Sequence, residues 1–309
     1  MANDSAIQTK SPLDENDKVN ISILWGIILL IIVMNNTMFS VAIPNIMAEL
    51  KISVSSVSWL VAGYSVILAV ATLTGSRLSD SFSFRKLLTI SITVLTLASL
   101  LGFLSNHYFF ILIARILQAT GAGVISGLAF VFVSKYIHIN RRGKAMSIMS
   151  SFSALGFGLG PLMGGIVTTW LDWHYLFIIT MVAIFLLPLF LKAFPREILR
   201  AREKFDIYGC LLTTVAIMSL MLFLTTLDLV LLSINILAVF ILWRHSVREK
   251  ESFLQFSLVK NKKFLLMILI SIFVYFIYLS TIFILPIVLS DLHSLDAIHR
   301  GLILFPGAA

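Results

Sequence analysis

Arg115 is the one charge that falls inside a long apolar run, residues 109–134, of this 309-residue chain. A guanidinium at the centre of a membrane helix costs at least ~2.5–3.5 kcal/mol on insertion scales, so it should face other helices or a wet cavity. The alternative is that it snorkels to the nearer interface. Gln118 follows one turn later on the same face and can hold a water or a backbone partner. Asp80, Arg85 and Lys86 share a short turn. They read either as a charged latch between helix ends that breaks in a second state, or as a helix cap with two topology signals. Asn35, Asn36, Trp59, Tyr64 and Phe157 would furnish an apolar pocket with a few placed amides, although membrane aromatics equally serve packing and interface belts. The stretch 155–165 holds Gly156, Gly160, Pro161, Gly164 and Gly165. Glycines every four residues share one bare face on which another helix can lie close, and Pro161 marks a bend.

The elements that must position these groups are membrane helices. The chain is 59% hydrophobic and only 12% charged, where soluble chains carry roughly 25% charged residues. A span needs about 20 apolar residues. The sequence predicts spans at 22–45, 55–76, 87–104, 109–134, 145–170, 174–194, 207–226, 229–243 and 264–290, with a tenth starting at Gly301. With the N-terminus inside, all 23 Lys and Arg except Lys51, Arg300 and Arg115 fall on inside connections. That bias supports both spans and orientation and removes any need for a nucleic-acid partner. The acidic start of the chain is unlike a cleavable signal peptide. All 15 acids lie in loops or at span ends. Asp172 and Asp228 read as solvated outside turns, and the six histidines, including His174 and His245, show no metal spacing. Lone Cys210 excludes an internal disulfide. Arg244–Lys263 reads as a short interfacial helix. No nucleophile elbow, phosphate loop or paired-carboxylate arrangement is present, so the expectation is that this is not an enzyme and needs no cofactor.

Several stretches, in order, resemble the major facilitator superfamily, and within it the fourteen-span drug/proton antiporters, closest to tetracycline exporters of Gram-positive bacteria. They are Met34–Pro44, Trp59–Tyr64, Leu78–Lys86, Arg115–Gly121, the glycine stretch ending Gly160-Pro161-Leu162-Met163-Gly164-Gly165, and Phe205–Gly209. The resemblance implies a proton-tuning role for Arg115 and an antiporter motif in the fifth helix. Ser76, Ser83, Ala119 and Ser147 stand where the family usually has glycine. Asn35, Asn36 and Phe157 stand where members of this branch carry acids.

The expected fold is an all-α membrane protein of the major facilitator type. A cytoplasmic tail (1–20) precedes a six-helix bundle (21–195), then a linker with an extra helix pair (196–263), then the start of a second bundle (264–309). The expected function is proton-driven efflux of small amphipathic drugs by alternating access, by a monomer in a bacterial plasma membrane. The alternatives are a truncated remnant or half-carrier, since fourteen-span relatives continue for four more spans, and a metabolite or uptake carrier of the same fold.

Overall fold

The computed structural model describes residues 15–194, 206–249, 253, 261–274 and 276–277. Helices are α1 (Glu15–Leu50), α2 (Val54–Ser81), α3 (Phe84–Phe103), α4 (Tyr108–Tyr136), α5 (Arg142–Trp170), α6 (Tyr175–Met181), α7 (Leu187–Ala193), α8 (Ile207–Thr226) and α9 (Leu229–Arg248). Residues 262–274 are also helical, within the predicted ninth span. No strand occurs among the described residues. Among the described residues, eight helical stretches are long and apolar enough to cross a membrane. The predicted tenth span and the boundary at 195–205 lie outside the described residues, as does most of the predicted interfacial helix. Its first residues, Arg244 to Arg248, continue α9.

The helices run past the predicted spans because hydropathy marks only the membrane core, while local chemistry sets the ends. Ser53 caps α2 by accepting from the Ser56 N–H at 3.2 Å, and Asp206 caps α8 through the Gly209 N–H at 2.8 Å. Asp228, read as a solvated turn, caps α9 through the Val230 N–H at 2.9 Å. Each carboxylate or hydroxyl satisfies one of the donors a helix start leaves open. The sixth span is broken into α6, a tighter 3-10 segment at Val182–Leu186, and α7. Pro188 lies in the first turn of α7 and cannot donate to the carbonyl four residues back, which tightens the turn before it.

Residues of α1 to α7 pack as one bundle, with α1 lying along α5, and α4 against both α2 and α3. Two apolar clusters fill it. Toward the end bearing the basic connections, Trp25, Phe84, Phe132, Phe190 and Phe194 pack together. Toward the far end, Met38, Phe39, Leu60, Trp173 and Phe177 do so. The α8–α9 hairpin pairs with itself and touches the bundle along α2, where the Thr74 hydroxyl meets the Cys210 sulfur at 3.3 Å.

Candidate functional site

Between the two apolar clusters lies a single polar layer centred on Arg115. Arg115, Asn35, Gln118, Ser99 and Thr180 are all fully buried. Arg115 Nη1 donates to Asn35 Oδ1 at 2.7 Å and to Gln118 Oε1 at 3.1 Å. Its Nε donates to the Leu60 carbonyl at 3.1 Å. Gln118 Nε2 passes the chain on to Ser99 Oγ at 2.7 Å, and Asn35 Nδ2 donates to Thr180 Oγ1. One guanidinium thus connects α1, α2, α3, α4 and α6. The rings of Phe39 and Tyr64 cover its two faces, each centroid 4.0 Å from the guanidinium carbon. Cation–π contacts of a desolvated Arg are worth about 2 kcal/mol, and hydrogen bonds from a charged donor about 1.5–3 kcal/mol. Together they explain how this charge is held away from the interface, so the snorkelling alternative does not describe Arg115.

The layer contains no carboxylate. Its acceptors are two amides, two hydroxyls and a backbone carbonyl, so the positive charge is solvated but not neutralised. Two buried polar atoms at its centre make no hydrogen bond among the described residues, Arg115 Nη2 and Tyr64 Oη, and neither does Asn36 Oδ1 in α1. The predicted pocket residues therefore divide. Asn35 and Tyr64 belong to the Arg115 layer, Asn36 is beside it in α1, Trp59 is 37% exposed on α2, and Phe157 is half-buried in α5. A cavity of about 350 Å³ opens instead between the start of α1 and the α4–α5 connection, and none of these five residues lines it. Ser99, Thr180 and Phe39 were not anticipated; single hydroxyls and phenylalanines are common in spans and carry no spacing signal.

The glycine stretch packs against α1, the helix that carries Asn35. A Cβ on Gly156 would come within 2.9 Å of the Leu30 carbonyl oxygen, and one on Gly164 within 2.8 Å of that of Met38. One on Gly160 would collide with the Thr37 hydroxyl. Gly165 must be removed from this packing face, since a Cβ there would meet nothing within 4 Å. It sits about 100° round the helix from Gly164. Pro161 lies inside an uninterrupted α5.

At the basic end, Asp80 does not meet Arg85 or Lys86. Its carboxylate pairs with Lys135 Nζ at 2.8 Å, joining the ends of α2 and α4. Arg85 Nη1 donates to the Phe194 carbonyl at 3.2 Å, joining α3 to the residue after α7. Lys86 is exposed. With side chains 47% and 32% exposed, the Asp80–Lys135 pair adds at most about 1 kcal/mol. Nearby, Asp206 accepts from the N–H groups of Gly209 and Phe253 and from His245 Nε2. Burial pushes its carboxyl up, but these donors and the His245 charge outweigh that and hold it below the usual carboxylate range. Arg77 Nε donates to the Phe253 carbonyl at 3.1 Å, tying α2 to this hub.

The chain is similar to known membrane carriers. It is 28% identical to a riboflavin transporter of Clostridioides difficile over 88% of this chain and 60% of that protein. It is 28% identical to a puromycin resistance protein of Streptomyces alboniger over 61% of this chain and 39% of that one. An uncharacterised transporter of the major facilitator type from Bacillus subtilis is 26% identical over 91% of the chain and 54% of its own length. The chain spans less than two thirds of the length of each of these relatives. The sequence pattern of the Major Facilitator Superfamily matches residues 25–309. With its all-helical fold and eight apolar helices of spanning length, the chain belongs to the major facilitator superfamily.

Proposed function

We propose that this protein is a secondary active transporter that exports amphipathic compounds by alternating access, driven by protons, from a bacterial plasma membrane with its N-terminus inside. The observation that carries the reading is the Arg115 layer. A guanidinium buried between two apolar clusters, bonded to α1 and α2 and linked through Asn35 and Gln118 to α6 and α3, is a joint through which movement of one helix reaches several others. The glycine face of α5, seated on the same α1 that carries Asn35, lets these helices adjust at close range. Similarity to a puromycin resistance protein favours a drug as cargo. The test is drug accumulation in cells with and without the gene. The expected result is lower accumulation with the wild type, and loss of at least about tenfold of that efflux in Arg115→Ala at equal membrane abundance; tenfold corresponds to 1.4 kcal/mol. Efflux unchanged in that variant would sink the assignment.

A second reading is uptake of a metabolite by the same fold. The amides at Asn35 and Asn36 favour it, since exporters of the resembling branch carry acids there. So does the similarity to a riboflavin transporter. Higher internal substrate in expressing cells selects this reading over export.

A further inference from the structure

At the far end of the bundle, opposite the basic connections, three side chains with metal-ligating atoms converge. Glu49 is in the last turn of α1, and Asp172 and His174 lie between α5 and α6. One ligand atom from each lies within 4.8 Å of the other two. Glu49 and Trp173, which joins it in this cluster, are 124 residues apart. No local spacing could have shown this: Asp172 stands in an exposed turn as expected, and His174 meets it there with Glu49 of a distant helix.

The orientation of the imidazole carries the argument. His174 is 8% exposed, and its Nε2 faces the Ser105 carbonyl oxygen at 3.1 Å. A carbonyl only accepts, so Nε2 bears a hydrogen, and Nδ1 is the ring atom turned toward the Asp172 carboxylate. Nδ1 is in direct contact with Asp172 Oδ1, a hydrogen-bonded ion pair when that nitrogen carries a proton. A divalent ion that displaces the proton shared there finds a nitrogen and a carboxylate oxygen already side by side. Glu49 and Asp172 bring two negative charges, and among the described residues neither pairs with Lys or Arg.

Each of the three groups is also held from behind. The Ser105 carbonyl fixes His174, the Trp173 indole N–H donates to Glu49 Oε2 at 2.6 Å, and the His174 backbone N–H donates to Asp172 Oδ1 at 2.8 Å. A backbone carbonyl on the distal imidazole nitrogen and hydrogen-bonded carboxylates are the usual support of metal ligands. We infer that Glu49, Asp172 and His174 form a divalent-cation site for a zinc-like ion. One nitrogen and two carboxylate oxygens, open to water on the remaining side, match the ligand preferences of that ion. Reaching the roughly 3.4 Å ligand separation of a tetrahedral site takes rotation of Glu49 and Asp172, both exposed, with Asp172 moving off its direct contact with His174. The bound ion joins the end of α1 to the α5–α6 connection.

The experiment uses the full-length protein, purified in metal-free detergent buffer and titrated with zinc chloride by calorimetry and by thermal unfolding. One ion should bind per chain, and zinc should raise the unfolding temperature, because it binds the folded state. Glu49→Gln and His174→Gln should each weaken binding at least about tenfold and remove the zinc-dependent shift. Glu49→Gln keeps an acceptor for Trp173 and so remains testable if His174→Gln fails to fold. Binding equal to wild type in the Gln variants would mean an adventitious ion only. Absence of saturable binding to the wild type would mean that the cluster holds a proton instead. Either result overturns the site.

Discussion

Asn35 determines what kind of site Arg115 makes. Its carbonyl accepts from the guanidinium and its NH₂ donates to Thr180, so a neutral amide does the holding that a carboxylate would otherwise do. A carboxylate beside a guanidinium ionises more readily and can exchange a proton with its surroundings; an amide cannot. Asn35→Asp should therefore make transport in proteoliposomes respond more steeply to an imposed pH gradient than the wild type does. An unaltered response in a well-inserted variant would show that the layer has no part in proton coupling. Much of this layer was legible in the sequence, because one charge in an apolar run must find partners. Arg115 and Gln118 stood out for that reason. The Leu60 carbonyl, Ser99 and Thr180 did not, since the same residues in a lipid-facing span look identical until the helices are placed.

Among the elements, the contact between α1 and α5 is set by the absence of side chains. Where a Cβ on Gly164 would press on the Met38 backbone at 2.8–3.0 Å, the helices cannot yield by turning a side chain. Gly164→Val should separate α1 from α5 and cost about 1–3 kcal/mol, as overpacking does. Gly165→Ala next to it faces open space and gains helix propensity of about 1 kcal/mol. Thermal unfolding in detergent should show a lower transition for the first and an equal or higher one for the second; equal losses in both would remove the α1 contact as the cause. The period of four puts Gly156, Gly160 and Gly164 on one face, and that face lies against α1. It could not name α1 as the partner, because every apolar helix offers a surface of similar hydropathy. Nor did adjacency distinguish Gly164 from Gly165, which only the rotation of the helix separates.

Across the described residues, the order of the spans followed from hydropathy, since lipid leaves few alternatives to a helix. The joints between elements did not, because they depend on long-range pairs such as Asp80–Lys135, Arg77–Phe253 and Thr74–Cys210. Arg115 has a further consequence at this scale. It lies about 10 Å along α4 from its start, inside the electric field across the membrane, and no charge of opposite sign is bonded to it. Moving one elementary charge through a full 100 mV is worth about 2.3 kcal/mol, and a partial displacement is worth that fraction. Any rocking that carries α4 along the field therefore performs electrical work. Transport by the wild type should change with an imposed potassium diffusion potential. The dependence should shrink in Asn35→Asp, where an opposite charge travels with the guanidinium. The same voltage response in both would mean that the gating charge lies elsewhere. With an amide at Asn35, any such movement of α4 carries an uncompensated charge through that field.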